Sequence, residues 1–92
     1  IMFRLWGKIW KKNHLIRDMV VCDERAGVNR TRKIYDALDK ICLEFDLSRP
    51  IWLEVTVNDF LKTDKTRFNK DNFIDDIEFD YLEIQVIEED DM

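Results

Sequence analysis

The stretch that decides the fold is Asn29–Asp46, which reads NRTRKIYDALDKICLEFD. Ile34, Ala37, Leu38, Ile41, Cys42 and Phe45 recur in it at spacings of three and four, which at the helical pitch places all six on one stripe. A helix with one apolar stripe needs one apolar surface to lie on. Asn29 is suited to cap its start, because a side-chain oxygen there accepts from an otherwise unpartnered amide, and Pro50 disfavours helical geometry at Arg49 and bounds the far end. Asp36 and Lys40 form a favourable pair four residues apart on the outer face. Each large side chain buried along the stripe contributes about 1.5–3 kcal/mol before the entropic cost of ordering it.

The segments around this helix read mainly as strands. Phe3, Leu5 and Ile9 alternate with Arg4, Trp6, Lys8 and Trp10, a period of two that marks a half-buried strand, with Gly7 a point of bulging or close approach. After the polar turn Lys11–His14 comes a second strand, in which Leu15, Arg17, Met19 and Val21 face one way and Ile16, Asp18, Val20 and Cys22 the other. Asp18 interrupts an otherwise apolar side. Ile51, Leu53, Val55 and Val57 alternate with Trp52, Glu54 and Thr56 and predict a third strand, though one that can pass early into a helix. The region 58–77 reads as short helical pieces or ordered loop. Leu82, Ile84 and Val86 alternate with Tyr81, Glu83 and Gln85 and predict a fourth strand, and residues 88–92 form an acidic tail. The expected fold is therefore a single small α+β domain: a mainly antiparallel sheet of about four strands with the helix at 29–46 on one face, in the order β-β-α-β-(short α)-β.

Ninety-two residues suffice for one core and leave little for a deep catalytic cleft with a lid. No apolar run approaches the roughly 20 residues that span a bilayer. Two cysteines, Cys22 and Cys42, at positions that read as buried, with no leader-like segment, fit a reducing cytoplasm, and Ile1 reads as extraneous to a natural start at Met2. The net charge of −5 hides an asymmetry: residues 1–33 carry nine Lys/Arg against three acids, residues 34–92 six against seventeen. The two halves are expected to neutralise each other in the fold, the alternative being that one charged face meets a partner.

No catalytic constellation stands out. His14, the sole histidine, lies in a basic turn without an evident nucleophile beside it. Cys22 and Cys42 are not at metal-ligand spacing, and the acids between Asp75 and Glu83 lack the loop pattern of a calcium-binding hand. No enzyme activity, cofactor or metal is implied. The Phe79–Val86 block, Phe-Asp-Tyr-Leu-Glu-Ile-Gln-Val, and the Pro50–Leu53 block, Pro-Ile-Trp-Leu, resemble short uncharacterised bacterial proteins; the resemblance implies no activity and assigns no functional residue.

The readings that remain concern surfaces. With one helix covering one face, the other sheet face is expected to carry some of Trp6, Trp10, Trp52 and Tyr81, an aromatic set suited to a protein partner or a second copy of the chain. The sheet's edge strands offer a further docking route. The alternative cover is the region 58–77 folding back through Phe60, Leu61, Phe68, Phe73 and Ile74. Function is thus expected to be a non-enzymatic interaction or regulatory module with no membrane partner. The runner-up is a single-stranded nucleic-acid binder built on Arg4, Trp6, Lys8, Trp10, Lys11 and Lys12, which interleave positive charge with stacking surfaces. Arg30, Arg32 and Lys33 crowd the positive end of the helix dipole, so an acid must lie close: Glu24 or the Glu88–Asp91 tail, or else an anion from a partner.

Overall fold

A computed structural model describes residues 2–89. Ile1 and the last part of the acidic tail, 90–92, lie outside the described residues. The elements are β1 (Phe3–Lys11), β2 (His14–Asp23), α1 (Arg30–Glu44), α2 (Glu54–Thr63), β3 (Lys65–Phe68) and β4 (Tyr81–Glu88), with a short 3-10 turn at Lys70–Asn72. All strand pairs are antiparallel and the sheet order is β2-β1-β4-β3. The protein is an α+β fold with an open four-stranded sheet and two helices.

The central helix forms as its periodicity requires, and all six residues of the stripe are buried. The Asn29 side chain accepts from the Arg32 amide at 2.8 Å. The far end is set earlier than Pro50: Asp46 takes a left-handed conformation (φ 58°), and the Leu47 amide donates back to the Cys42 carbonyl at 2.8 Å, which satisfies a terminal carbonyl and turns the chain away. α1 rests on the middle of β1. A Cβ built on Gly7 would lie 2.8 Å from Ile41 Cδ1 and 2.9 Å from its Cγ2, so only glycine lets the helix approach the sheet this closely.

The hairpin turns through Lys12 and Asn13, whose φ values of 52° and 65° are those of the two-residue turn that matches strand twist. The Asp80 carboxylate accepts from the Lys12 amide at 2.8 Å and helps hold a lysine in that conformation. A β-bulge at Ile16 then shifts the register: Trp10 pairs with Leu15, but Ile9 pairs with Arg17.

The third strand expected at 51–57 is not one. Ile51–Leu53 is extended, but from Glu54 the chain is helical, with Glu54 in the first turn and Lys62 in the last complementing the dipole. Thr56 and Phe60, one turn apart, are its buried positions. Asn72, itself buried, fixes this segment from outside: its Nδ2 donates to the Ile51 carbonyl (2.8 Å) and to Thr56 Oγ1 (3.1 Å). Asp64 in a left-handed conformation ends α2, and β3 follows directly as the strand that sequence periodicity did not show.

α2 lies beside α1 on the same sheet face. Phe60, Phe68 and Phe73 enter the common core, while Leu61 and Ile74 are exposed, so the region 58–77 does not fold over the opposite face. Trp52 is likewise on the helix side. Its ring meets Tyr35, Phe60 and Phe68 edge-to-face at 5.9, 5.7 and 5.1 Å, and its Nε1 is buried without a hydrogen-bond acceptor among the described residues.

Gly7→Ala forces Ile41 or the helix to shift and should cost about 1–3 kcal/mol of unfolding free energy in urea titration. Ile41→Val in the same chain removes Cδ1 and should recover part of that loss. Wild-type stability in Gly7→Ala would mean that α1 does not bear on β1 at this point.

Candidate functional site

Because Phe3, Leu5, Gly7 and Ile9 face the helices, Arg4, Trp6, Lys8 and Trp10 of β1 face the other way. The register decides what they meet. Lys8 lies opposite Asp18 of β2 and opposite Glu83 of β4, and Glu83 in turn lies opposite Arg67 of β3. The result is one row of alternating charge, Asp18–Lys8–Glu83–Arg67, across all four strands. Trp6, between Val20 and Gln85, and Trp10, between Leu15 and Tyr81, flank it.

These side chains are locked together. Lys8 Nζ lies 3.1 Å from Glu83 Oε1 and 3.2 Å from Gln85 Oε1, with its charge 4.0 Å from the centroid of the Trp6 ring. The indole N–H of Trp10 donates to Glu83 at 3.1 Å and that of Trp6 to Asp18 at 2.9 Å. Arg67 reaches Glu83 Oε2 at 3.4 Å, and its guanidinium carbon lies 4.5 Å from the Tyr81 ring centroid. Lys8 is 7% and Glu83 4% exposed although both stand on the uncovered face, because aromatic rings and long side chains roof them. Burial alone pushes the Glu83 carboxyl up, but the hydrogen bonds and charges of Lys8 and Arg67, with the Trp10 N–H, outweigh it and hold the group below its ordinary value.

Of the expected interaction residues, Trp6, Trp10 and Tyr81 come together on this face and Trp52 does not. Of the basic residues, Lys8 belongs to the row, Arg4 pairs with Glu88 at 3.1 Å, and Lys11 and Lys12 stand at the hairpin tip. Arg30, Arg32 and Lys33 are elsewhere, at the start of α1. Arg30 binds Asp64 and Glu89, both at 2.6 Å, and Arg32 binds Asp36 one turn on at 3.4 Å. Lys33 is buried and near Asp23, whose pKa falls to about 2 mainly through the hydrogen bond from Arg25, with Lys33 adding to the effect. The acids that offset the helix start are therefore the chain's own, Glu89 of the tail among them. Glu24, the other expected partner, makes no hydrogen bond or ion pair among the described residues.

Asp18, Glu83, Gln85 and Arg67 were not expected at the site. The one signal for them was Asp18 interrupting an apolar pattern; Glu83 read as an ordinary outward residue until its neighbours across the sheet were known. A second feature is the outer side of β2. Among the described residues β2 pairs with β1 alone, and Leu15, Ile16 and Val20 are 42%, 50% and 42% exposed. Elsewhere, a cleft of about 180 Å³ between α1 and α2 is lined mainly by Ile34, Tyr35, Trp52, Val57, Phe60 and Leu61, with Arg30 already ion-paired at its side.

Comparison of the chain with protein-family models, curated proteins and solved structures returns no match in any of the three. The site is therefore read from its own chemistry. Cys22, expected to be buried, is an exposed thiol on β2 opposite Arg4. Burial pushes the Cys42 thiol up to about 11, which keeps it protonated in the core, and His14 stands at the hairpin end. Among the described residues no group of three His, Cys, Asp or Glu side chains converges on a point where a metal ion would sit, and no helix is long and apolar enough to cross a membrane.

Glu83→Gln leaves Lys8 buried without its anion and should cost on the order of 3 kcal/mol at neutral pH. Since the folded carboxyl titrates below 4.5, its stabilisation is complete above that pH and is lost as pH falls through the lower, folded-state value. The wild type should therefore lose stability between pH 5 and pH 2 more steeply than Glu83→Gln in parallel urea titrations. Equal slopes would remove Glu83 as the centre of the row.

Proposed function

We propose that this protein is a non-enzymatic interaction module that docks another polypeptide along the outer edge of β2 and the adjoining open sheet face, in a reducing cytoplasm. The observation that carries the reading is the unpaired side of β2, a row of free backbone donors and acceptors flanked by half-exposed Leu15, Ile16 and Val20. A strand added there gains main-chain hydrogen bonds along its length and places alternate side chains on the two faces. The aromatic residues support it as a preformed platform: Trp6, Trp10 and Tyr81 are held by Asp18, Glu83 and Arg67, so little side-chain freedom is lost when a partner covers them.

Binding of unpaired nucleic acid is the second reading, favoured by the half-exposed Trp6 and Trp10 rings beside Lys11 and Lys12. Against it, the cation at the centre of the face, Lys8, is consumed by Glu83, and Arg4 at the strand end is paired with Glu88. Little free positive charge is left there to displace counterions from a phosphate backbone.

The two are separated by placing a photoreactive residue, Val20→p-benzoylphenylalanine, at the β2 edge in the native host, with Leu61→p-benzoylphenylalanine at the 71%-exposed position in the helix cleft as a control. A protein adduct from position 20 and none from position 61 is the expected result. A nucleic-acid adduct at position 20 would establish the second reading, and no adduct there would remove the β2 edge as a docking site.

A further inference from the structure

We propose that the polypeptide on the β2 edge is a second copy of this chain, paired antiparallel to the first about a twofold axis at Val20. The inference rests on the β2-edge reading above and specifies its partner.

The two edges of the sheet are built differently. β3 is four residues long and carries Lys65 and Arg67, two of the devices by which exposed edges resist pairing. β2 is ten residues long, its bulge is confined to the hairpin end at Ile16, and Arg17–Asp23, although charged at its ends, has no charge, proline or glycine from Met19 to Cys22. That seven-residue stretch is regular and apolar at its centre. It is the edge left fit to accept a strand.

Charge then selects the register. A twofold axis normal to the sheet keeps each face continuous, so residues opposite each other across the join must lie on the same face. Centring on Arg17 or Asp18 sets a like charge against itself. Centring on Met19 sets Asp18 against Val20 and Arg17 against Val21, and centring on Val21 sets Asp18 against Glu24 and Arg17 against Arg25. Centring on Val20 opposes no like charges: Met19 faces Val21 twice, Val20 faces itself, and Arg17 faces Asp23, a carboxylate that already holds Arg25 at 2.6 Å. Opposite charges facing across a strand pair are favourable and like charges are not. Arg17 is poised for this role: it lies over the Phe45 ring at 4.6 Å and has no ion pair among the described residues. Both copies keep their helices on the same side, so the product is one eight-stranded sheet whose opposite face carries two copies of the charged row.

Light scattering after gel filtration at micromolar concentration should give twice 11.2 kDa for the wild type. Val20→Lys, at a half-exposed position, brings two cations together on the axis and should halve the mass with an unchanged circular dichroism spectrum. The register is read by cross-linking. Asp18→Cys lies directly opposite the partner's Cys22, within the Cα separation a disulfide needs, so diamide should produce a covalent dimer that Cys22→Ser abolishes. A wild-type mass of 11.2 kDa would overturn the second copy while leaving the β2 edge to the photo-crosslink in the host. A dimer that survives Val20→Lys, or a dimer in which Asp18→Cys fails to cross-link to Cys22, would overturn the proposed pairing.

Discussion

The contact on which the architecture depends is Ile41 against Gly7. It seats a fully buried isoleucine at the centre of α1 directly on the backbone of β1. Once that site is fixed, strand geometry does the rest: Phe3, Leu5 and Ile9 share the face of Gly7 and become core, and Arg4, Trp6, Lys8 and Trp10 are turned to the opposite face. Two helices cover one face, so the other must be stable without a hydrophobic layer over it. Its solution is lateral, the indole N–H groups of Trp6 and Trp10 and the charges of Lys8 and Glu83 being satisfied by the neighbouring strands.

The bulge at Ile16 is what makes that solution possible. Counted back from the Lys12-Asn13 turn without it, Lys8 would oppose Arg17, and Asp18, Val20 and Cys22 would point under α1. One extra residue exchanges the two faces of β2 beyond it. Asp18 then meets Lys8 and the Trp6 N–H on the open side, while Met19 and Val21 reach the helix side. The interruption that Asp18 makes in an apolar pattern is the trace of this change of face. The buried Lys8–Glu83 pair works to the same end. Desolvating two charges offsets much of their attraction, so the pair contributes less through net stability than through the penalty on registers that leave either ion alone.

The sequence was legible where the local signal and the tertiary environment agree. α1 is the clear case, with its stripe, its Asn29 cap and a face wide enough to need a sheet; β1 and β4 follow from strict alternation, whereas in β2 the bulge puts Leu15 on the open side and Arg17, Met19 and Val21, expected to share its face, on the helix side. Ile51–Val57 misled because its apolar residues alternate across a boundary. Ile51 and Leu53 belong to an extended approach, whereas Val55 and Val57 are exposed on a helix whose burial falls on Thr56 and Phe60. A threonine at the buried position hides the period of 3.6, and the reason it is tolerated, a hydrogen bond from Asn72, comes from a residue distant in sequence. β3 was invisible because four residues carry too little pattern; it exists through its pairing with β4. The charged row was invisible for the same reason, since it belongs to the register and not to any one strand.

The charge asymmetry of the chain now has a structural account that bears on function. The basic N-terminal part and the acidic C-terminal part meet side by side, Arg4 with Glu88, Lys8 with Glu83 and Arg30 with Glu89. Charges already paired in this way, Lys8 and Glu83 under a roof of side chains and the other two pairs at the surface, are poor handles for a polyanion, because each would have to leave an existing partner first. What stays unsatisfied on this side is half-exposed aromatic and aliphatic surface and the outer backbone of β2. Backbone pairing is indifferent to sequence, so specificity would have to come from the few side chains that flank the edge. Arg17, at one end of its regular stretch and without an ion pair among the described residues, is the group placed to supply it, since Asp23 at the other end is already held by Arg25 at 2.6 Å.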